Sequence, residues 1–140
     1  EKDVMTVMDM VRKEFNVDDK RIYLLGHSMG GAGTLFLGAK YPSNWAAIAS
    51  IAPAAFMMQK DQKNYLSQIK NANIPAMIVQ GGKDNVVPPQ NTRTWADAMK
   101  ELGMKYEYVE LPEGDHGTVI AEGMPNIFKF FAAHSKGSVP

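Results

Sequence analysis

The sequence predicts an α/β fold, a three-layer sandwich with helices on both faces of a mainly parallel sheet of about four strands. Short, near-continuous apolar runs alternate with segments of helical periodicity, the pattern of a parallel sheet covered on both sides. A glycine-rich break, Gly26 to Gly31, stands between one apolar run and a helix rich in small residues. No repeat, linker or low-complexity stretch interrupts the 140 residues, so residues 1–140 read as a single domain. That length allows burial of roughly 68–70% of the unfolded surface.

The elements follow in order. Val4, Val7, Met8, Val11 and Phe15 recur at helical spacing, which predicts an amphipathic helix over 3–15. Its charged residues Lys2, Asp9, Arg12 and Lys13 form a solvated face. Asn16 to Asp19 make a turn, and Ile22 to Leu25 read as a strand buried on both faces. Residues 29–41 form a helix that Pro42 ends, with Gly30, Gly31, Ala32 and Gly33 on a side able to pack very close to a sheet. Ala46 to Ala52 is a second buried strand, and a weakly periodic short helix covers 61–70. Pro75 opens a third strand over 76–80, and Pro88-Pro89 start a helix running to about Leu102, with Gly103 as its cap. Lys105 to Leu111 is a fourth strand, and Pro125 to His134 a last helix. Trp45 and Trp95 read as packing residues.

Composition removes several classes of function. Lys+Arg and Asp+Glu balance at 15 each with no basic stripe, so there is no electrostatic footprint for nucleic acid or an anionic membrane. No apolar run approaches the roughly 20 residues of a membrane helix. With Cys 0, disulfide and thiolate chemistry are excluded, and no compartment is assigned by it. The start, Glu1-Lys2-Asp3, has neither an initiator Met nor a signal-peptide pattern, and reads as processing or as a chain cut from something larger.

In parallel α/β sheets the chemistry sits in loops at the carboxyl ends of the strands. Here those loops carry Ser28, Pro53 to Phe56, Asp84 and His116 in turn. A serine hydroxyl needs a base to become a nucleophile; a histidine can be that base, and a carboxylate can fix its tautomer and stabilise the imidazolium. Gly26 and Gly30 leave room where a Cβ would clash in a tight strand-to-helix turn. The same turn aims the backbone N–H of Met29, at a helix N-terminus, toward a developing oxyanion.

Gly26-His27-Ser28-Met29-Gly30 matches the G-x-S-x-G nucleophile elbow, and the chain resembles the α/β-hydrolase superfamily. The loop GGKDNVVP resembles that family's acid loop and PEGDHG its histidine loop. The resemblance covers nearly the whole chain and is strongest to the group of esterases and prolyl-oligopeptidase-like peptidases. It implies a Ser28-His116-Asp84 triad, an ester-cleaving serine hydrolase acting on small-molecule esters, and no metal or organic cofactor. The alternatives are a peptidase with the same triad, or a catalytically silent truncated module serving assembly or binding.

Blander readings stand beside these. Ser28 could be incidental to a glycine turn, and Asp84 could bond its own loop backbone. Asp115 is the rival acid, read as loop-shaping because adjacent residues point apart. His27 lies within the elbow, where the family often has a histidine without a base role, and His134 reads as a solvated helix residue. His27, Phe56 and Met57 are candidates for the substrate pocket; core filling is the alternative for Phe56, Met57 and Met58.

The full family fold has eight strands, several of them before the nucleophile strand, so this chain resembles a truncated version beginning at the helix just before it. The upstream loop that supplies a second oxyanion N–H has no counterpart here. The strand near residues 20–26 would then be an apolar edge. Three arrangements would cover it: a second copy in a symmetric dimer, the rest of a larger enzyme, or a separate chain.

Overall fold

Four strands, β1 (Tyr23–His27), β2 (Ala47–Ile51), β3 (Ala76–Gly81) and β4 (Tyr106–Leu111), form one sheet in the order β1-β2-β3-β4, with every pair parallel. The computed structural model describes residues 1–136. Five α-helices accompany the strands: α1 (Lys2–Glu14), α2 (Met29–Lys40), α3 (Gln62–Asn71), α4 (Pro89–Glu101) and α5 (Thr118–Ala132). Two 3-10 segments among the described residues, Pro42–Asn44 and Phe56–Asp61, leave no mark in the hydrophobic periodicity. Among the described residues no helix is long and apolar enough to cross a membrane.

The period of two along β2 and β3 divides the core in two. Ile48, Ala76 and Ile78 face a layer made by Leu35 and Leu37 of α2, Leu66 and Ile69 of α3, and Trp95 and Met99 of α4. Ala49, Ile51, Met77 and Val79 face the other way, onto Val119, Ile127, Phe130 and Phe131 of α5. Both faces of the central strands are therefore dry, and every residue of β2 and β3 is buried. Each fully buried Leu, Ile or Met contributes roughly 1.5–3 kcal/mol relative to exposure. Trp45 and Trp95 are buried, their indole N–H groups donating to Leu37 O and Gln59 Oε1, which is the packing role expected of them.

Three expectations about these elements need correction. β1 is not buried on both faces: it is the sheet edge, half-buried along most of its length, with Leu25 38% exposed. Met5 and Met8 turn α1 toward the core, whereas Val4, Val7, Val11 and Phe15 remain exposed. Val7, Met8, Val11, Val17 and Ile22 instead line a shallow apolar groove of about 310 Å³ beside the β1 edge. The last helix begins at Thr118, not at Pro125, which lies inside it on an exposed stretch. The Asp115 carboxylate accepts the N–H groups of Gly117 and Thr118 and so supplies partners for the first turn.

Of the glycines expected to allow close approach, Gly26 and Gly31 do so and Gly30 and Gly33 do not. A Cβ on Gly26 would stand 2.0 Å from Gly30 O, and one on Gly31 3.0 Å from Pro53 Cα. A Cβ on Gly30 or Gly33 would meet nothing within 4 Å. Gly30 therefore contributes its carbonyl to the crossing with β1, not an absent side chain.

Candidate active site

β1 ends at His27 and α2 begins at Met29, which leaves one residue to reverse the chain. That residue is Ser28, at φ 60° and ψ −115°, a conformation that costs a non-glycine residue of the order of 1–3 kcal/mol. Its backbone is held from both sides. The Ser28 N–H donates to Ile51 O at 2.9 Å, and the Ser28 carbonyl accepts from Ala32 and Ala54. The strained turn lifts Oγ out of the sheet at its carboxyl end, where the loops after β3 and β4 also arrive.

Those loops bring Asp84 and His116 to Ser28. His116 Nε2 lies 3.0 Å from Ser28 Oγ, and His116 Nδ1 lies 2.8 Å from Asp84 Oδ2. A carboxylate can only accept, so Nδ1 carries the proton and Nε2 presents its lone pair to the serine hydroxyl. The two loops are tied to each other through backbone, Lys83 N–H to Gly114 O and Gly82 N–H to Leu111 O.

The Asp84 side chain is fully shielded from solvent while that of His116 is 21% exposed. Burial by itself would push the Asp84 carboxyl up. The hydrogen bond from His116 and the N–H groups of Val87 and Val86 outweigh it and hold the carboxyl below its ordinary value. Val86 and Val87 both donate to Oδ1 at 2.8 Å, leaving Oδ2 for His116. Asp84 thus bonds its own loop backbone and the histidine together, so the two readings of that residue coexist.

Behind Asp84 lies a polar pair that the sequence pattern does not single out. Gln80 is fully buried; its amide donates to Val87 O and Gly81 O and stands 3.5 Å from Asp84 Oδ2, while its Oε1 accepts from buried Thr92. A glutamine closing the apolar run Ala76-Met77-Ile78-Val79 was the available signal.

The remaining candidates fall in different places. Met29 opens α2, so its N–H is among the four at a helix start that lack an intrahelical partner. His27 Nε2 is 2.7 Å from the backbone carbonyl of His116. Phe56 is half-exposed and Met57 nearly fully exposed on the 3-10 segment after β2, while Met58 packs on the core. Asp115 shapes its loop, and His134 packs its ring 4.7 Å from Phe130. Among the described residues no group of three or more acidic or histidine side chains could hold a metal ion.

A family described as PET hydrolase-like matches residues 5–139. The chain belongs to the PET hydrolase-like family. The match spans α1 to the last helix, so all four strands and the three loops described above fall within it. A thermostable esterase of known structure superposes on 97% of the chain with a TM-score of 0.77 and 28% identity, the chain covering 38% of that protein. The acylaminoacyl peptidase of Pyrococcus horikoshii shares the fold at a TM-score of 0.78 and 17% identity, over 99% of this chain and 28% of its own.

By sequence, the chain is 24% identical over 150 residues to acylamino-acid-releasing enzyme 1 of Oryza sativa subsp. japonica, covering 82% of this chain and 19% of the enzyme. It is 33% identical over 85 residues to a bifunctional acetylxylan esterase/xylanase of Neocallimastix patriciarum, covering 60% of this chain and 11% of that protein. The chain therefore spans well under half the length of these relatives. This PET hydrolase-like chain has the α/β-hydrolase fold and belongs to an esterase- and peptidase-like family.

Proposed function

We propose that the protein is a serine hydrolase that cleaves carboxylic esters, short-chain or aryl, through an acyl-enzyme. The observation that carries this reading is the hydrogen-bonded run from Ser28 Oγ through His116 to Asp84 Oδ2. Similarity to the thermostable esterase and to the acetylxylan esterase supports the ester as substrate class.

In this mechanism Ser28 Oγ attacks the ester carbonyl carbon as its proton passes to His116 Nε2. Asp84 keeps His116 in the reactive tautomer and stabilises the imidazolium. The Met29 N–H donates to the oxyanion of the tetrahedral intermediate. The carbon–oxygen bond to the alcohol then breaks, and the alkoxide takes the proton from His116. Water next attacks the acyl carbon as His116 accepts its proton, and the same proton returns to Ser28 Oγ as the acid departs. Phe56 and Met57, on the segment beyond β2, offer apolar surface for the acyl or alcohol group.

The experiment is a burst assay with p-nitrophenyl acetate on this chain and on Ser28→Ala. A nitrophenol burst in the unaltered protein and none in the variant is expected. Equal turnover by both proteins would overturn the reading. A peptidase reading is favoured by the match to acylamino-acid-releasing enzyme 1 across 82% of the chain. An acyl-alanine p-nitroanilide cleaved faster than the ester would establish it. Folded protein that hydrolyses neither substrate would point to a silent module used for assembly.

We infer also that a second copy of the chain covers the β1 edge. β1 pairs with β2 on one side, and its other side continues into the apolar groove against α1. An exposed apolar edge strand is a template for pairing, and a two-fold dimer would extend the sheet through it.

A further inference from the structure

We propose that His27 is a positioning residue, holding the loop of the catalytic base in register with the nucleophile by donating its Nε2–H to the His116 carbonyl; this rests on the serine-hydrolase reading above. The bond is 2.7 Å long, and a carbonyl oxygen can only accept, so His27 Nε2 carries a proton whether the ring is neutral or charged. The two imidazole rings stand 4.7 Å apart between centroids and tilted by 42°.

The topology gives this bond its importance. Ser28 follows β1 and His116 follows β4, with β2 and β3 between them in the sheet. The base loop is tied to the β3 side by Lys83 N–H to Gly114 O, Gly82 N–H to Leu111 O, and the Asp84 carboxylate on His116. From the end of β1, two hydrogen bonds reach that loop among the described residues: Ser28 Oγ to His116 Nε2, and His27 Nε2 to His116 O. The first ceases when Oγ becomes acylated. The second uses backbone and a side chain that do not react, so it persists through the acyl-enzyme. It keeps His116 Nε2 over the site when water must be activated. His27 immediately precedes Ser28, so the brace and the nucleophile move as one piece of chain.

The geometry requires the two neutral histidines to be opposite tautomers, Nδ1–H for His116 and Nε2–H for His27. The test has two arms. Nitrogen-15 correlation spectra of the imidazoles in the unaltered protein should show that opposition; an Nδ1–H tautomer at His27 would overturn the proposal without any variant. The rate of Ser28 labelling by a fluorophosphonate, with kcat and KM for p-nitrophenyl acetate, is then compared for His27→Leu and His27→Gln. The Leu variant should label and turn over roughly 10- to 100-fold more slowly, with the loss falling on kcat more than on KM, because the base is displaced. The Gln variant, whose amide can donate to the same carbonyl, should recover most of that rate. Labelling of the Leu variant within about twofold of the unaltered protein would overturn the proposal. Folded Leu and Gln variants slowed equally would do so too. If the Leu variant does not fold, the spectra decide. Failure of the unaltered protein to label at Ser28 sinks the serine-hydrolase reading itself, and the tautomers still report the His27 bond.

Discussion

His116 is held at both ring nitrogens, with Nδ1 2.8 Å from Asp84 Oδ2 and Nε2 3.0 Å from Ser28 Oγ. One imidazole thereby links a fully shielded carboxylate to a serine at the surface of a strained turn. The Asp84 bond decides which nitrogen is free to act as base, so exchanging that carboxylate for an amide tests the relay without removing the side chain. Asp84→Asn should lower kcat for p-nitrophenyl acetate by about 10⁴-fold, because the amide can hold His116 in the wrong tautomer. A variant within tenfold of the unaltered protein would contradict the role given to Asp84.

The same carboxylate links stability to pH. Asp84 is held below its ordinary 3.8, its burial outweighed by the bonds from His116, Val87 and Val86. Glu110 is held below its ordinary 4.5, chiefly by the bidentate hydrogen bond from Arg93. A carboxyl with a depressed folded pKa binds protons more readily in the unfolded chain. Its contribution is therefore fully present above the ordinary value and is lost as pH falls through the lowered one. Urea midpoints should hold steady down to about pH 5 and then fall toward about pH 2, with a shallower fall in Asp84→Asn. An identical acid limb in the two proteins would show that Asp84 is not a source of this dependence.

Two glycines of the elbow should answer differently to the same change. In Gly26→Ala the new Cβ meets Gly30 O at 2.0 Å, which forces β1 and α2 apart. A loss of roughly 3 kcal/mol or more is expected, with activity falling alongside it. Gly30→Ala enters open space and should change stability by no more than about 1 kcal/mol, with a gain favoured by helix propensity. Thermal melts of the two variants check this, and equal losses would contradict the crossing described.

The edge of the sheet gives a prediction about mass. Light scattering at micromolar concentration should report a dimer, and Leu25→Lys should convert it to a monomer by placing a charge on the exposed edge. A monomeric mass for the unaltered chain with full activity would contradict pairing of two copies.

Much of this architecture can be read from the sequence because burial on both faces writes continuous apolar runs. Ala47–Ile51 and Ala76–Gly81 are buried throughout, and both are visible as such. The cap at Gly103 is equally legible, with φ 71° and Met104 N–H bonding Met99 O. Legibility fails where local chemistry competes with a stronger symbol. Pro125 suggests a helix start, yet the Asp115 carboxylate and the Thr118 hydroxyl, which accepts the Asp115 N–H, start α5 earlier. The residue types of the site follow from chain order and loop position. The brace from His27 and the Gln80–Thr92 pair do not, since each depends on a contact between segments distant in sequence.

Peptide mass mapping after a fluorophosphonate label asks directly whether Ser28 is the nucleophile. A single phosphonylated residue, Ser28, is expected, with labelling abolished in His116→Ala. A label on any other residue, or a folded protein whose Ser28 stays unmodified, would contradict it.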